Sequence, residues 1–298
     1  MTDYGPSTEK KVKEVVQACE LYGARAIVAL AGVPGTGKSF IASIAAQRFA
    51  SDPLMVKEIQ FHQSFTYEEF VEGMRIGASG GVDVEPGIFL DWNERALDDP
   101  DHRYVLLIEE LTRANLSAVL GELMTYLEHR ERPFTTVYSR RPVRIANNLT
   151  ILATYNPTDR SAIDIDAALL RRLRIIQCPP STEQLGEMLK DALPAHVTAR
   201  LKKIFTQCAE KRKKEFEYLM PFGHGIFADI GTEAPDLYRL WDERIRHILY
   251  RPLVEPAPFA DIIEKHYPWS AADYREPSAP GDAASAAPTP SDVLDSTA

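Results

Sequence analysis

The sequence is poor in cysteine, in long apolar runs and in positive charge. Among 298 residues there are only three cysteines, and their wide, odd spacing excludes a disulfide framework or a zinc-ligand pattern. No apolar stretch is long enough to cross a bilayer, and the first residues lack the apolar core of a signal peptide. A formal net charge of −9 argues against a surface built throughout for nucleic acid. These absences predict a cytoplasmic protein without a membrane segment.

The composition that remains is that of a globular protein, with 45% hydrophobic residues and hence enough material for a buried core. Strand-like and helix-like segments alternate up to about residue 180, whereas the chain beyond it has mainly helical spacing. The last two dozen residues are rich in Pro, Ala, Ser and Asp, which cannot bury a core. The expected domains are a helix over 1–23, an α/β nucleotide-binding domain over 24–178, a small helical domain over 179–270 and a disordered tail over 271–298.

The alternation of strands and helices predicts a three-layer α/β domain with a parallel sheet covered on both faces. Thr66 and Glu69 have the spacing of a capping box, so a helix is expected to begin near Tyr67. A glycine-rich loop is expected over 76–87. The expected helices are 8–22, 40–50, 89–97 and 115–129. The expected strands are 25–32, 55–61, 104–110, 148–156 and 175–180.

Residues 32–39 have the sequence GVPGTGKS, which matches the phosphate-loop pattern G-x-x-x-x-G-K-[ST] in full. Glycines let successive backbone N–H groups surround phosphate oxygens, and the helix that follows adds the positive end of its dipole. Lys38 would reach the β and γ phosphates, and Ser39 would bind Mg²⁺. The alternative is a plain glycine turn beside an exposed lysine. The residues expected to contact the nucleotide are Gly32, Val33, Pro34, Gly35, Thr36, Gly37, Lys38, Ser39 and Phe40.

Two adjacent carboxylates, Glu109 and Glu110, end the apolar strand VLLI. Ligands collect at the carboxyl ends of the strands in a parallel sheet, and unpaired buried carboxylates are unfavourable. We therefore expect Glu109 to hold the metal ion, directly or through water, and Glu110 to act as the base that polarises the attacking water. The alternative is a pair of solvated acids at the end of a strand.

Two further polar sites follow along the chain. Asn156 ends the strand ILATY and is suited to hold the attacking water or the γ-phosphate, although a turn residue is the simpler interpretation. Arg171 and Arg172 lie in the segment DIDAALLRRLRI. Arginine stabilises the charge that spreads over a transferring phosphoryl group, and it can act from a neighbouring subunit. Paired arginines on a helix are more commonly surface contacts.

The order Lys38, Glu110, Asn156, Arg172 resembles that of the AAA+ ATPases: Walker A, Walker B, sensor 1, arginine finger and then a helical lid. Several longer segments resemble the McrB-type branch, which is related to the MoxR-like AAA+ proteins. They are FHQSFTYEEFVEGMR (61–75), PGIFLDWNERA (86–96), EELTRANLSAVLGELMTYLE (109–128), ATYNPTDRSAIDIDAALLRRL (153–173), FGHGIF (222–227) and LYRLWDERI (237–245).

This resemblance implies a homo-oligomeric ring, expected to be a hexamer, that binds ATP or GTP with Mg²⁺ between subunits. Arg172, or alternatively Arg171, would act on the neighbour's γ-phosphate, and Arg113 matches a family arginine near the subunit interface. Glu109 stands where the family has aspartate. Residues 155–159, YNPTD, differ from the more usual Met-Asn-Thr-Ala-Asp that accompanies guanine use, which leaves the base open.

The resemblance also implies a partner. No segment suggests recognition of modified DNA or nuclease chemistry, so that work is expected from a separate effector protein, such as a McrC-like nuclease subunit. DNA contact would then be indirect. Two rival functions stay open: a MoxR-like chaperone that remodels a protein, and a non-hydrolysing scaffold gated by nucleotide.

Overall fold

The computed structural model describes residues 4–76, 80–159, 167–212, 220–228, 230, 237–250 and 259–268. The chain divides into two compact units, Met1–Pro179 and Pro180–Ala298. The tail predicted to be disordered, 271–298, lies outside the described residues. None of the helices in the described ranges is both long and apolar enough to span a membrane.

The first unit is built on a five-stranded parallel sheet, in which the strands lie side by side in the order β2 (Val56–Gln60), β5 (Tyr104–Glu109), β8 (Leu149–Tyr155), β1 (Ile27–Ala31) and β9 (Leu173–Gln177). Its helices are α1 Pro6–Tyr22, α2 Lys38–Phe49, α3 Tyr67–Phe70, α4 Ile88–Asp98, α5 Leu116–Leu120, α6 Leu123–Tyr126 and α7 Ala167–Leu170. Its strands are β1 Ile27–Ala31, β2 Val56–Gln60, β3 Glu72–Ile76, β4 Val82–Pro86, β5 Tyr104–Glu109, β6 Phe134–Thr135, β7 Pro142–Val143, β8 Leu149–Tyr155 and β9 Leu173–Gln177. The pairs β3–β4 and β6–β7 form two small antiparallel ribbons.

Alternate side chains of the central strands pack against different helices, as period-2 strand geometry requires. Val28 and Leu30 of β1 belong to a core shared with α1 and α2. Ile27 and Ala29 face the opposite side and pack with residues of α3 to α6. Strand β1 is buried along its whole length. The predicted three-layer α/β fold with a parallel sheet is therefore confirmed.

The predicted capping box is also confirmed, because Glu69 N donates to Thr66 Oγ1 at 3.3 Å and Thr66 N donates to Glu69 Oε2 at 2.9 Å. Two predictions were wrong. The single helix over 115–129 is broken at Gly121, whose φ of 49° and ψ of −127° cannot continue a helix. The supposed loop over 76–87 contains β4, in which valines alternate with acidic residues and pair with β3.

The β3–β4 ribbon leaves one apolar face uncovered. The register pairs Met74 with Val84 and Ile76 with Val82, so these four side chains share a face. They are between 40% and 83% exposed, which is unusual for a cluster of large apolar residues. This ribbon differs sharply from the centre of the five-stranded sheet, where every residue of β1 and β8 is buried.

One buried cation joins two distant segments of the first unit at the amino ends of the central strands. Arg130 Nη1 donates to the carbonyl oxygens of Ala146 and Leu149 at 2.8 and 2.6 Å, and its Nη2 donates to Gly23 O at 3.0 Å. Burial lowers the pKa of Arg130 to about 10, so the side chain stays charged at neutral pH. Three carbonyl dipoles thus replace the water that this guanidinium loses.

In the second unit, the described residues form helices and turns. The helices are α8 Thr182–Leu189, α9 Ala195–Arg212, α10 Leu237–Leu240, α11 Arg246–Leu249 and α12 Ala260–His266, with a π-helical turn at Trp241–Ile245. Its core contains the ring contacts among Phe205, Phe222 and Phe227, with centroid distances of 6.3 to 6.4 Å. This unit therefore has its own apolar core.

Candidate nucleotide site

The phosphate loop joins the carboxyl end of β1 to the amino end of α2. Gly35 and Gly37 have φ angles of 79° and 77°, in the left-handed region that other residues avoid. A Cβ added at Gly32 would lie 2.3 Å from the backbone oxygen of Cys178, so only glycine fits beside the end of β9. The loop thus has the backbone geometry with which N–H groups surround phosphate oxygens, at the amino end of a helix.

Lys38 lies at the start of α2, within the field of several acidic groups. Its Nζ donates to the carbonyl oxygen of Val33 at 3.1 Å, and Thr36 Oγ1 donates to the same oxygen at 3.0 Å. Burial lowers the pKa of Lys38, and the charge of Glu110 opposes this shift most strongly among the surrounding groups. The side chain is a partly desolvated cation, as suits a ligand for phosphate oxygens.

Glu109, at the end of β5, faces the first turn of α2. Its Oε2 accepts hydrogen bonds from Ser39 Oγ at 2.8 Å and from Thr154 Oγ1 of the neighbouring strand β8. Its other oxygen, Oε1, is buried and has no hydrogen-bond partner among the described residues. A buried carboxylate oxygen without a partner is unfavourable unless a cation or water completes it.

These residues fit a magnesium ion that is shared with phosphate groups. Mg²⁺ prefers oxygen ligands and is usually held by one or two carboxylates together with substrate phosphates, rather than by a full protein cage. Ser39 and Glu109 supply a hydroxyl and a carboxylate that already touch. Within the described part of the chain there is no group of three or more His, Cys, Asp or Glu that could hold a metal alone. A magnesium site here would need phosphate oxygens.

Glu110 follows directly, and its backbone is in the left-handed region with a φ of 55° and a ψ of 44°. A non-glycine residue in this conformation is uncommon, and such strain is concentrated at functional sites. The turn separates the two neighbouring carboxylates. Glu110 Oε2 accepts a hydrogen bond from Arg113 Nε at 3.3 Å instead of joining Glu109. The candidate base is therefore paired with a cation of its own chain.

Arg113 links Glu110 to the end of strand β8. Its Nη2 lies 3.2 Å from Asp159 Oδ2, at ion-pair distance but without hydrogen-bond geometry. Asp159 Oδ1 in turn accepts from Asn156 Nδ2 at 2.8 Å. The three predicted residues Glu110, Arg113 and Asn156 thus belong to one network, which Asp159 completes.

The side chain of Asn156 is buried and is used within its own turn. Its Oδ1 accepts from the backbone N and the hydroxyl of Thr158 at 3.1 and 2.8 Å. This is the local hydrogen bonding that favours asparagine at turns. In this arrangement Asn156 shapes the segment after β8, and both of its polar atoms are engaged.

The two candidate arginines differ in exposure. The side chain of Arg172 is 6% exposed, and its Nη1 donates to Ala168 O at 2.6 Å. The side chain of Arg171 is 63% exposed. Both approach the same carboxylate, that of Glu128. Of the two, only Arg171 extends into solvent.

Sequence reasoning missed three residues of this site: Thr154, Asp159 and Glu128. Thr154 is a buried hydroxyl in an otherwise apolar strand, two residues before Asn156, and this position alone could have indicated a second contact to Glu109. Asp159 was visible as the third residue after Asn156 in a turn. Nothing in the local sequence links Glu128 to arginines more than 40 residues away.

The similarity of this chain to known proteins includes the residues of this site. Residues 27–173 match the model of a family described as an AAA domain of the dynein-related subfamily. The Type IV methyl-directed restriction enzyme EcoKMcrB subunit of Escherichia coli (strain K12) is 33% identical over 255 residues, covering 78% of this chain and 54% of that protein. The Type II restriction enzyme BsuMI component YdiS of Bacillus subtilis (strain 168) is 24% identical over 183 residues, covering 47% of this chain and 53% of that protein.

The chain thus spans about half the length of both relatives. Among solved structures, NtrX from Brucella abortus aligns with a TM-score of 0.42 and 11% identity over 67% of this chain and 47% of that chain. A likeness of that degree carries no information about activity.

Proposed function

The chain belongs to the AAA+ P-loop nucleoside triphosphatases, in the dynein-related subfamily, and from this premise we propose that it hydrolyses ATP or GTP to drive a separate effector protein. The observation that carries the proposal is the contact of Glu109 with Ser39 beside the glycine loop. The other oxygen of this carboxylate is buried and has no hydrogen-bond partner in the described part of the chain, and it lies where a phosphate-bound cation would be expected.

The positions of the side chains support the following chemistry. Lys38 and the loop N–H groups would bind the phosphates. Ser39 and Glu109 would hold Mg²⁺, which supplies charge neutralisation at the β and γ phosphates when bound. Glu110 would accept a proton from the attacking water as the new oxygen–phosphorus bond forms. The bond between the γ-phosphorus and the bridging oxygen breaks, and the nucleoside diphosphate leaves.

For Glu110 to act as the base, its carboxylate has to leave Arg113. Both side chains are partly exposed, and exposed ion pairs contribute only about 0 to 1 kcal/mol. A triphosphate beside Arg113 would compete for the same guanidinium. Nucleotide binding would thus release the base that acts on it.

An arginine supplied by a neighbouring subunit would complete the site. Arg171 is the better candidate because its guanidinium is largely exposed, whereas Arg172 is buried against its own chain. This arrangement requires a ring of identical subunits, and a hexamer is the size that the family favours. Arg113, at the same edge of the sheet, would then lie near the subunit interface.

The proposed partner is a separate effector protein. One relative is named as a subunit and the other as a component of a restriction enzyme, which supports a McrC-like nuclease subunit as the partner and DNA contact only through it. The cysteines Cys19, Cys178 and Cys208 are buried and form no disulfide within the described part of the chain, which is compatible with a reducing cytoplasm.

A non-hydrolysing scaffold is the second candidate, and the ion pair between Glu110 and Arg113 is the observation that favours it. If Arg113 keeps Glu110 from water even with nucleotide bound, the chain would bind a triphosphate without cleaving it. Both functions predict that the chain binds a nucleoside triphosphate, but only the first predicts that the chain hydrolyses it.

The test is phosphate release from ATP and from GTP with Mg²⁺, measured beside nucleotide affinity. The proposal expects turnover by the wild type and a loss of about 100-fold or more in Glu110→Gln, because positioned bases contribute roughly 10² to 10⁴. Nucleotide affinity should change little. Glu58→Gln, the same substitution at an exposed position of β2, is the matched control and should keep wild-type turnover. Binding without any turnover in the wild type would favour the scaffold.

A further inference from the structure

The carboxylate of Glu128 is the meeting point of the two adjacent arginines. Its Oε2 lies 3.1 Å from Arg171 Nη2 and also 3.1 Å from Arg172 Nε. Glu128 comes just after α6, whereas the arginines lie between α7 and β9, so the contact joins segments 43 residues apart. One carboxylate oxygen therefore faces two guanidinium groups.

The two arginines are not equivalent in this cluster. Arg172 is buried, and its Nη1 is fixed by a hydrogen bond to Ala168 O. Its Nε lies at ion-pair distance from Glu128 but without hydrogen-bond geometry, and a buried guanidinium without its carboxylate would be strongly unfavourable. Arg171 is largely exposed and makes one hydrogen bond to Glu128, so it can exchange that contact at little cost. The pair of Glu128 and Arg172 is the fixed part, and Arg171 is the part that can move.

The charges of the cluster also differ from those of a simple ion pair. One carboxylate and two guanidinium groups have a net charge of +1, and the excess lies at the exposed end, on Arg171. Arg171 is thus held in place without being fully neutralised, so it would still attract a phosphate group. Arg172 would stay behind to neutralise Glu128 after Arg171 moves.

We propose that Glu128 is a positioning residue, which together with the buried Arg172 aims Arg171 at the triphosphate of a neighbouring subunit. This inference rests on the proposed function, because it needs hydrolysis and an arginine supplied in trans. It assigns Arg172 an indirect role: it anchors Glu128 and does not touch the phosphate. When the neighbouring subunit binds nucleotide, its γ-phosphate replaces Glu128 as the group that pairs with Arg171.

The experiment uses full-length subunits, singly and mixed. Arg171→Ala alone is expected to lose about 100-fold or more in kcat, in line with the large contribution of such arginines. Glu128→Gln is expected to lose about tenfold in kcat because Arg171 is no longer aligned. Nucleotide affinity at the variant's own site should stay within about twofold of the wild type, since Glu128 acts on the site next door.

Mixing separates this role from a structural one. Lys38→Ala subunits cannot use nucleotide but still carry Glu128 and Arg171. Added to Glu128→Gln subunits, they supply a well-placed arginine to an intact nucleotide site, so activity per Glu128→Gln subunit should rise several-fold. A variant that is merely damaged at its own site would gain nothing. Glu128→Asp keeps the negative charge beside Arg172, but its side chain is one methylene shorter and reaches Arg171 less well. It replaces Glu128→Gln in the same experiment if that variant does not fold.

The outcomes are distinguishable. If Arg171→Ala loses activity while both Glu128 variants keep wild-type kcat, the positioning role is wrong and the proposed function stands. If a Glu128 variant loses kcat and mixing restores nothing, the positioning role is also wrong. If the wild type shows no turnover, or Arg171→Ala keeps it, then hydrolysis or the arginine in trans has failed, and this inference fails with it.

Discussion

The phosphate loop and the acidic strand ends face one another across the candidate site, but they are held in different ways. In the loop, Thr36 and Lys38 both donate to the carbonyl of Val33, within five residues of sequence. At the strand ends, Glu109 accepts from Ser39 and Thr154, which are 70 and 45 residues away. A local motif thus forms the binding half, and long-range contacts form the half proposed to do chemistry.

The largest effect is expected from Lys38→Ala, which removes the only charged side chain that the loop motif contributes. Losing one partner of a partly desolvated, charge-assisted contact costs about 2 to 5 kcal/mol, so nucleotide affinity should fall roughly 30-fold or more, and turnover with it. Isothermal titration with a triphosphate measures this. Lys57→Ala, an exposed lysine on β2, is the control. Unchanged affinity in Lys38→Ala would show that the loop is only a turn.

Gly32→Ala tests the loop's fit against its surroundings. The new Cβ would lie 2.3 Å from Cys178 O, a backbone atom that cannot rotate away. We expect a loss of about 1 to 3 kcal/mol in the free energy of unfolding from overpacking, together with about tenfold weaker nucleotide binding. Thermal melts and titration check both. Cys178→Ser keeps the carbonyl and should bind nucleotide like the wild type. Normal binding by Gly32→Ala would argue against a rigid loop.

Glu109→Asp tests whether the end of β5 can hold Mg²⁺ with aspartate, the residue more usual in the family at this position. The shorter side chain cannot keep its contacts with both Ser39 and Thr154, because one methylene is lost from a position fixed by two strands and a helix. Changes in the hydrogen-bonded surroundings of a metal typically alter affinity by about 10- to 100-fold. We expect the Mg²⁺ concentration needed for half-maximal turnover to rise about tenfold. A lower requirement would mean that glutamate is the poorer ligand here.

Arg113→Ala should have the smallest effect. It removes a cation shared by Glu110 and Asp159, so the site becomes more negative and repels the triphosphate. Because Arg113 is about half exposed, solvent screens the change, and we expect KM to rise about three- to tenfold. Arg113→Lys retains the charge but cannot bridge both carboxylates, so its KM should lie between those of the wild type and Arg113→Ala. A KM that falls instead would mean that Arg113 obstructs nucleotide binding.

The sequence predicted the fold and the loop well because their signals are local. The eight residues GVPGTGKS specify a turn between a strand and a helix, and the continuous apolar runs IVALA and VLLI specify strands buried on both faces. The sequence failed at Gly121, where one residue ends a helix that the apolar spacing would have continued. It also failed at Val82 and Val84, whose alternation with acids indicated a strand within a glycine-rich stretch.

The sequence predicted which residues belong to the candidate site, but it did not predict which of them contact one another. The pairs formed by Glu110 with Arg113, and by Glu128 with Arg171 and Arg172, depend on where separate elements come together in the fold. The separation of the two glutamates depends on the left-handed backbone of Glu110, a conformation that its residue type does not favour. Such features become visible only once the packing of the strands and turns is known.

Arg130 has a consequence for how the first unit comes apart. Its guanidinium binds Gly23, just after α1 and 107 residues away along the chain, and also Ala146 and Leu149, before and at the start of β8, which are 16 and 19 residues away. If α1 detached alone, this cation would lose one of its three acceptors while still enclosed in apolar surroundings. The amino-terminal helix is thereby tied to the sheet in an all-or-none manner, and amide hydrogens of α1 and β8 should exchange with solvent at the same rate, through one shared opening.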